Sequence, residues 1–360
     1  MNRQTRQTLP ASRRSTTTGE CYVLADTQRS GRHRQALPQI RRTRRRHPWV
    51  RLVAAIAAAG MVAIAVSFVI HVVGRPAGPS APQRERLTLP TTPDSYIGLY
   101  PYGVPGSYAG VTSFTTATGV KPSVVLYYSG WLEQFQTSFA TAAAEHDAVP
   151  LVQINPSGVR IADIATGKYD GYLSGYAEAV RAYGHPVIMG FGHEMNGYWY
   201  SWGYQHTSPA VFVTAWRHIV SLFRARGVRN VTWMWTVNTI HPRASVPSPG
   251  PWWPGSSYVT WVGIDGYYVN SSSMFASLFG PTIAAVRALT HDPILIAETA
   301  VAPAAGQPTK IADLFAGIHL YGLLGMVWFD ANRIEDWRIN SSAAIAAFRR
   351  AAATYHKTAP

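Results

Sequence analysis

Pro186-Val187-Ile188-Met189-Gly190-Phe191-Gly192-His193-Glu194-Met195-Asn196-Gly197-Tyr198-Trp199-Tyr200-Ser201-Trp202-Gly203 begins as a short apolar run and ends in a cluster of reactive groups. The run is brief and bounded by Pro and Gly, which reads as a strand buried on both faces. At its end stand an imidazole, a carboxyl group, an amide and four aromatic rings. A carboxyl group beside Trp and Tyr is partly shielded from water, which disfavours its charged form and raises its pKa. A carboxylic acid still protonated near neutrality suits proton donation to a leaving oxygen.

Seven further apolar runs accompany this one. The expected strands are Tyr96–Leu99, Ser123–Tyr127, Val149–Ile154, Val187–Phe191, Val231–Thr236, Trp261–Asp265, Ile294–Ala297 and Gly325–Phe329. Between them lie amphipathic stretches, Leu132–His146, Tyr169–Tyr183, Pro209–Arg226, Met274–Leu289 and Lys310–Tyr321, with a last one at Ser341–Tyr355. Repeated strand-then-helix units argue for an α/β fold with a parallel sheet. Eight of them within 95–355 fit a (β/α)8 TIM barrel, which typically takes about 250 residues. A doubly wound open sheet would carry a glycine-rich phosphate turn after its first strand. Pro101-Tyr102-Gly103-Val104-Pro105-Gly106 is a poor match to one.

Barrel enzymes work at the C-terminal ends of their strands. Those ends carry Tyr100 and Tyr102, Trp131, Asn155, His193 with Glu194, and Asn238 with His241. The last three carry Asp265 with Tyr267 and Tyr268, then Glu298, then Trp328 with Phe329 and Asp330. Glu194 and Glu298 stand three strands apart around the ring. A carboxylate closing an apolar run such as Pro293-Ile294-Leu295-Ile296-Ala297 is costly unless hydrogen-bonded or functional. Both glutamates are therefore expected to be catalytic. Asp265 reads as structural, and Asp330 as either a rim salt bridge or a substrate contact. A zinc-protease helix would need a second His four residues after His193, and that position is Gly197, so no metal is expected. Core packing accounts for Trp216 and Trp233. Trp199, Trp202 and Trp328 lie at strand ends, where flat rings make good binding platforms.

The formal charge of +14 does not belong to this domain. Residues 1–51 hold 13 Arg, no Lys and only two acids, Glu20 and Asp26, and the remainder is nearly neutral. The tail lacks the aromatic pattern of a nucleic-acid binder and reads as a disordered cytoplasmic arm. Residues 52–73 are apolar apart from Gly60, Ser67 and His71, long enough for a transmembrane signal-anchor helix, with a cleaved signal peptide as the alternative. Arg-rich sequence before the segment and a single close Arg75 after it place the N-terminus in the cytoplasm and the barrel outside the cell membrane. Residues 74–94, rich in Pro and Thr, read as a linker. Cys21 is the one cysteine, so an intramolecular disulfide is excluded.

The chain resembles glycoside hydrolase family 26. The resemblance is carried by Gly192-His193-Glu194-Met195-Asn196-Gly197-Tyr198-Trp199-Tyr200-Ser201-Trp202-Gly203 and by Trp253-Pro254-Gly255-Ser256-Ser257-Tyr258-Val259-Thr260-Trp261-Val262-Gly263-Ile264-Asp265-Gly266-Tyr267. Ala297-Glu298-Thr299 and Trp328-Phe329 complete it in the family's order. It implies a retaining, cofactor-independent glycosidase acting as a monomer on a β-glycan, foremost an endo-β-1,4-mannanase. Its alternatives are a β-1,3-1,4-glucanase, a β-1,3-xylanase and a non-catalytic polysaccharide-binding barrel. By this resemblance Glu194 is the acid/base, Glu298 the nucleophile and Tyr267 the hydroxyl that bonds the nucleophile, with Tyr268 as the second choice. His193, Asn196, Trp199, Trp202, Asn238 and Trp328 join Tyr267 as the expected substrate-binding set. The chain departs from the family at Gly190 and its neighbours, where an Arg is usual, at Thr260 in place of Asp, and at Gln153 and Asn155, where some mannanases carry His.

Overall fold

The structure is a computed structural model and describes residues 88–241 and 245–355. Eight parallel strands close into a barrel in sequence order. They are β1 (Tyr96–Pro101), β2 (Val124–Gly130), β3 (Val149–Asn155), β4 (Val187–Phe191), β5 (Val231–Asn238), β6 (Trp261–Asp265), β7 (Ile294–Thr299) and β8 (Gly325–Asp330). All eight expected strands form, and β4 and β6 match to the residue. Both faces of each strand are covered, which is why these segments are nearly continuous apolar runs without alternation. The barrel closes where β1 pairs with β8, Tyr96 opposite Gly325 through Pro101 opposite Asp330.

The helix Pro209–Ala225 shows how the outer layer is specified. Ser208 caps it by accepting from the Val211 N–H, and Pro209 supplies a preset first turn. Phe212, Trp216, Ile219, Val220 and Phe223 recur at helical spacing and are buried. The helix Ala109–Thr118 was not expected. Its four threonines are weak helix formers, and here each hydroxyl donates to the carbonyl four residues back. The stretch Met274–Leu289, expected as one helix, is two, Phe275–Leu278 and Gly280–Arg287. Pro281 opens the second, since proline has no N–H to continue the first.

Among the described residues no helix is long and apolar enough to cross a membrane. The expected tail, the anchor at 52–73 and the linker as far as residue 87 lie outside the described residues. Residues 88–93 form neither helix nor strand.

Candidate active site

The backbone leaves β4 at Gly192 and turns at Glu194, which adopts a left-handed conformation with φ of 54°. This costs a non-glycine residue about 1–2 kcal/mol, and such strain concentrates where surrounding contacts enforce it. The enforcing contacts are the Glu194 N–H donating to Thr236 O on β5 at 2.9 Å and the Gly197 N–H donating to Glu194 O at 2.8 Å. Both carboxyl oxygens are occupied. Trp199 Nε1 donates to Oε2 at 2.7 Å, and Asn238 Nδ2 donates to Oε1. Asn238 is itself fixed by Asn196, whose amide donates to Asn238 O at 2.9 Å and accepts from Asn238 N at 2.8 Å.

Glu298 reaches the same space through a bulge. Ile296 and Thr299 pair with Met326 and Trp328, so Ala297 and Glu298 together oppose the single Val327. On the other side Ile264 faces Ile296 while Asp265 faces Glu298. The extra residue turns Glu298 inward, a use of bulges common beside active sites. Tyr267 donates to Glu298 Oε2 at 2.7 Å, and Tyr128 of β2 donates to Oε1.

Burial raises both carboxyl pKa values. For Glu194, repulsion from Glu298 adds to burial and outweighs the bonds from Asn238 and Trp199. For Glu298, the hydroxyls of Tyr128 and Tyr267 and the charge of Arg333 counter burial and favour the ionised form. The two groups interact, so they titrate as a pair, and over an intermediate pH range the pair carries one proton. Burial pulls the His193 imidazole down to about 3, so it is neutral there. Asp265 is fully buried, and a bond from the Glu298 backbone favours its ionised form. Burial and the two glutamates hold its pKa well above the usual carboxylate range.

Direct hydrogen bonds thus join Trp199 and Asn238 to Glu194, and Tyr267 to Glu298. The His193 ring lies 5.4 Å from that of Tyr128 and 5.0 Å from that of Tyr200. Tyr268 points the other way, with its hydroxyl on Asp313 of the helix layer. Three expected sugar contacts stand elsewhere. Trp328 is 0% exposed; it packs against Phe348 of the C-terminal helix and donates to Trp337 O. Successive side chains of a strand alternate between faces, and on β8 Trp328 falls on the outer one while Phe329 meets Tyr100 and Tyr267 inside. Trp202 is 2% exposed, stacked under Tyr200, and donates to His193 O. Asn196 is 0% exposed and spends its amide on the backbone of Asn238 and Pro247. Trp202 and Asn196 act at one remove, holding the backbones of His193 and Asn238.

Asp330 accepts the Ile339 N–H at 2.8 Å. His241 closes a small loop through Val246 and meets Thr239 Oγ1. Gly190 is explained by its neighbour. A Cβ there would lie 2.0 Å from Gln153 Oε1, so Gln153, donating to Thr236, fills the space a larger residue would need. Among the described residues no three His, Cys, Asp or Glu are grouped to hold a metal. Tyr128 falls just beyond the expected second strand, Ser123–Tyr127, which in the structure runs on to Gly130. One more residue of strand, with inward parity, would have found it.

A barrel with paired carboxyl groups at the ends of its fourth and seventh strands defines a class of hydrolase scaffold. Residues 124–352 match the model of Glycosyl hydrolase family 26, and the chain belongs to that family. It is 31% identical over 274 residues to Endoglucanase H of Acetivibrio thermocellus, covering 71% of this chain and 30% of that protein. It is 24% identical over 166 residues to the β-1,3-xylanase TXYA of a Vibrio species, covering 43% of this chain and 35% of that one. The chain thus spans about a third of the length of these relatives. A modular endo-β-1,4-mannanase from Cellulomonas fimi shares the fold with a TM-score of 0.57 at 19% identity, over 72% of this chain and 70% of that one. The YdhT protein of Bacillus subtilis does so with a TM-score of 0.56 at 17% identity, over 71% and 85%.

Proposed function

We propose that the protein is a retaining glycoside hydrolase of β-linked polysaccharides. The observation that carries this reading is a pair of buried carboxyl groups after the fourth and seventh strands, each with both oxygens hydrogen-bonded: Glu194 by Trp199 and Asn238, Glu298 by Tyr267 and Tyr128. In the first step a Glu298 oxygen bonds to the anomeric carbon as the glycosidic bond breaks, and the Glu194 proton passes to the leaving oxygen. In the second, water attacks that carbon and gives its proton to Glu194, and the bond to Glu298 breaks. Trp199, half-buried beside the acid, offers a flat face to a sugar.

Mannan is the first substrate to test, as the family resemblance suggests. A β-1,3-1,4-glucan is the second, favoured by the sequence similarity to a protein named as an endoglucanase. The same reading has the protein act as a monomer, anchored through residues 52–73 with the barrel on the outer side of the cell membrane. Fractionation tests the anchor: the full chain should sediment with membranes, and a chain starting near residue 90 should stay soluble. Activity is tested on a panel of mannan, mixed-linkage glucan and xylan oligosaccharides. The wild type should release product from at least one, and Glu298→Gln should lose about 10³-fold or more of that rate. Unchanged turnover by Glu298→Gln would refute the reading.

A further inference from the structure

Two phenols from strands on different sides of the barrel converge on one carboxylate. Tyr267 follows β6, next to the β7 strand that carries Glu298, and takes Oε2; Tyr128 comes from β2 and takes Oε1. We infer that Tyr128 is a positioning residue for the reaction, locking the plane of the Glu298 carboxylate together with Tyr267 and receiving its negative charge when the glycosyl bond breaks. This rests on the glycosidase reading above and adds a residue to its machinery.

Two rings flank that of Tyr128: Tyr100 meets it edge-on at 5.2 Å and the His193 ring lies 5.4 Å away, while the strand backbone is paired to β3 with Tyr128 opposite Gln153. Tyr127, its neighbour, faces out and packs on Phe139 of the helix layer, so the alternation leaves Tyr128 inside. Tyr100 in turn stacks on Phe329, which meets Tyr267 edge-on. The two phenols are therefore linked through one aromatic wall, and Tyr128 also touches the residue preceding the acid. Each phenol remains protonated, since burial and the nearby carboxylate oppose its ionisation. A carboxylate with one donor can rotate about its Cγ–Cδ bond; one with a donor on each oxygen, from opposite directions, cannot.

The chemistry assigns the step. When water attacks the anomeric carbon, the pair of electrons in the bond to Glu298 returns to the carboxylate, and both phenols donate to the charge as it forms. Losing one donor makes Glu298 a poorer leaving group and a stronger base.

The test compares wild type with Tyr128→Phe on the best substrate of the panel. We expect the acidic limb of kcat/KM, which reports ionisation of Glu298, to move up by about one pH unit. We expect kcat to fall at least about tenfold while KM does not rise. Site-specific 3-fluorotyrosine at position 128, a stronger donor of nearly the same shape, should move the limb down. Carboxyl-13C NMR titration, with Glu298→Gln marking the resonance, reads the same shifts without turnover. An inactive wild type whose Glu298 titration still shifts in Tyr128→Phe would count against the glycosidase reading alone. An unmoved Glu298 titration in both variants would overturn the role of Tyr128.

Discussion

At Gly197 a Cβ would lie 2.3–2.5 Å from three atoms of the Trp199 ring, so the absent side chain is what lets the indole lie across the backbone. That position directs Nε1 at Glu194. Gly197→Ala should displace the ring, remove one donor from the acid and lower kcat/KM by about tenfold or more. Its melting temperature should change little by comparison, and steady-state kinetics beside thermal melting would separate the two effects. Glu194 and Glu298 were legible in the sequence, because a carboxylate closing an apolar run has few bland explanations, whereas the roles of His193 and Tyr267 rest on the family resemblance alone. Trp202 and Trp328 misled because proximity to a strand end does not say which face a side chain takes. Tyr128 was hidden by a boundary error of a few residues, and Gly190 made sense only once Gln153 was seen filling its space.

The strands were legible as elements because burial on both faces makes each one an apolar run flanked by breakers. The bulge in β7 was not. Ile294, Leu295, Ile296 and Ala297 are all apolar, so no alternation marks the point where two residues begin to share one face. The helix Ala109–Thr118 was equally silent, since its threonines suit strands better than helices. Trp328 belongs to this scale, because it seals β8 against the C-terminal helix through Phe348. Trp328→Ala should cost about 3–5 kcal/mol of stability and leave KM near its wild-type value. Trp199→Ala should do the reverse, with modest loss of stability and a large loss of activity. Denaturant unfolding and kinetics on the two variants would check the contrast.

For the molecule as a whole, the site is stored strain. Glu194, Glu298 and Asp265 are buried with pKa values raised above those of the unfolded chain. The folded state therefore binds more protons than the unfolded one, and their effect on stability turns unfavourable as pH rises from about 4 through the neutral range. Glu298→Gln removes one such group. It should raise the melting temperature by about 2–6 °C near pH 8 and by almost nothing near pH 4, as calorimetry across that range would show. Such a gain at the expense of function is the usual relation between stability and an active site. The charge distribution was legible at this scale too: the excess of Arg lies in residues 1–51, and the barrel sequence is nearly neutral.

The central claim is that Glu194 and Glu298 act as acid/base and nucleophile in a double displacement. Following the first-formed product from a β-linked oligosaccharide by 1H NMR, before mutarotation, tests it most directly. The account predicts the β-anomer, with configuration retained. Initial release of the α-anomer would mean direct attack by water, and would contradict it.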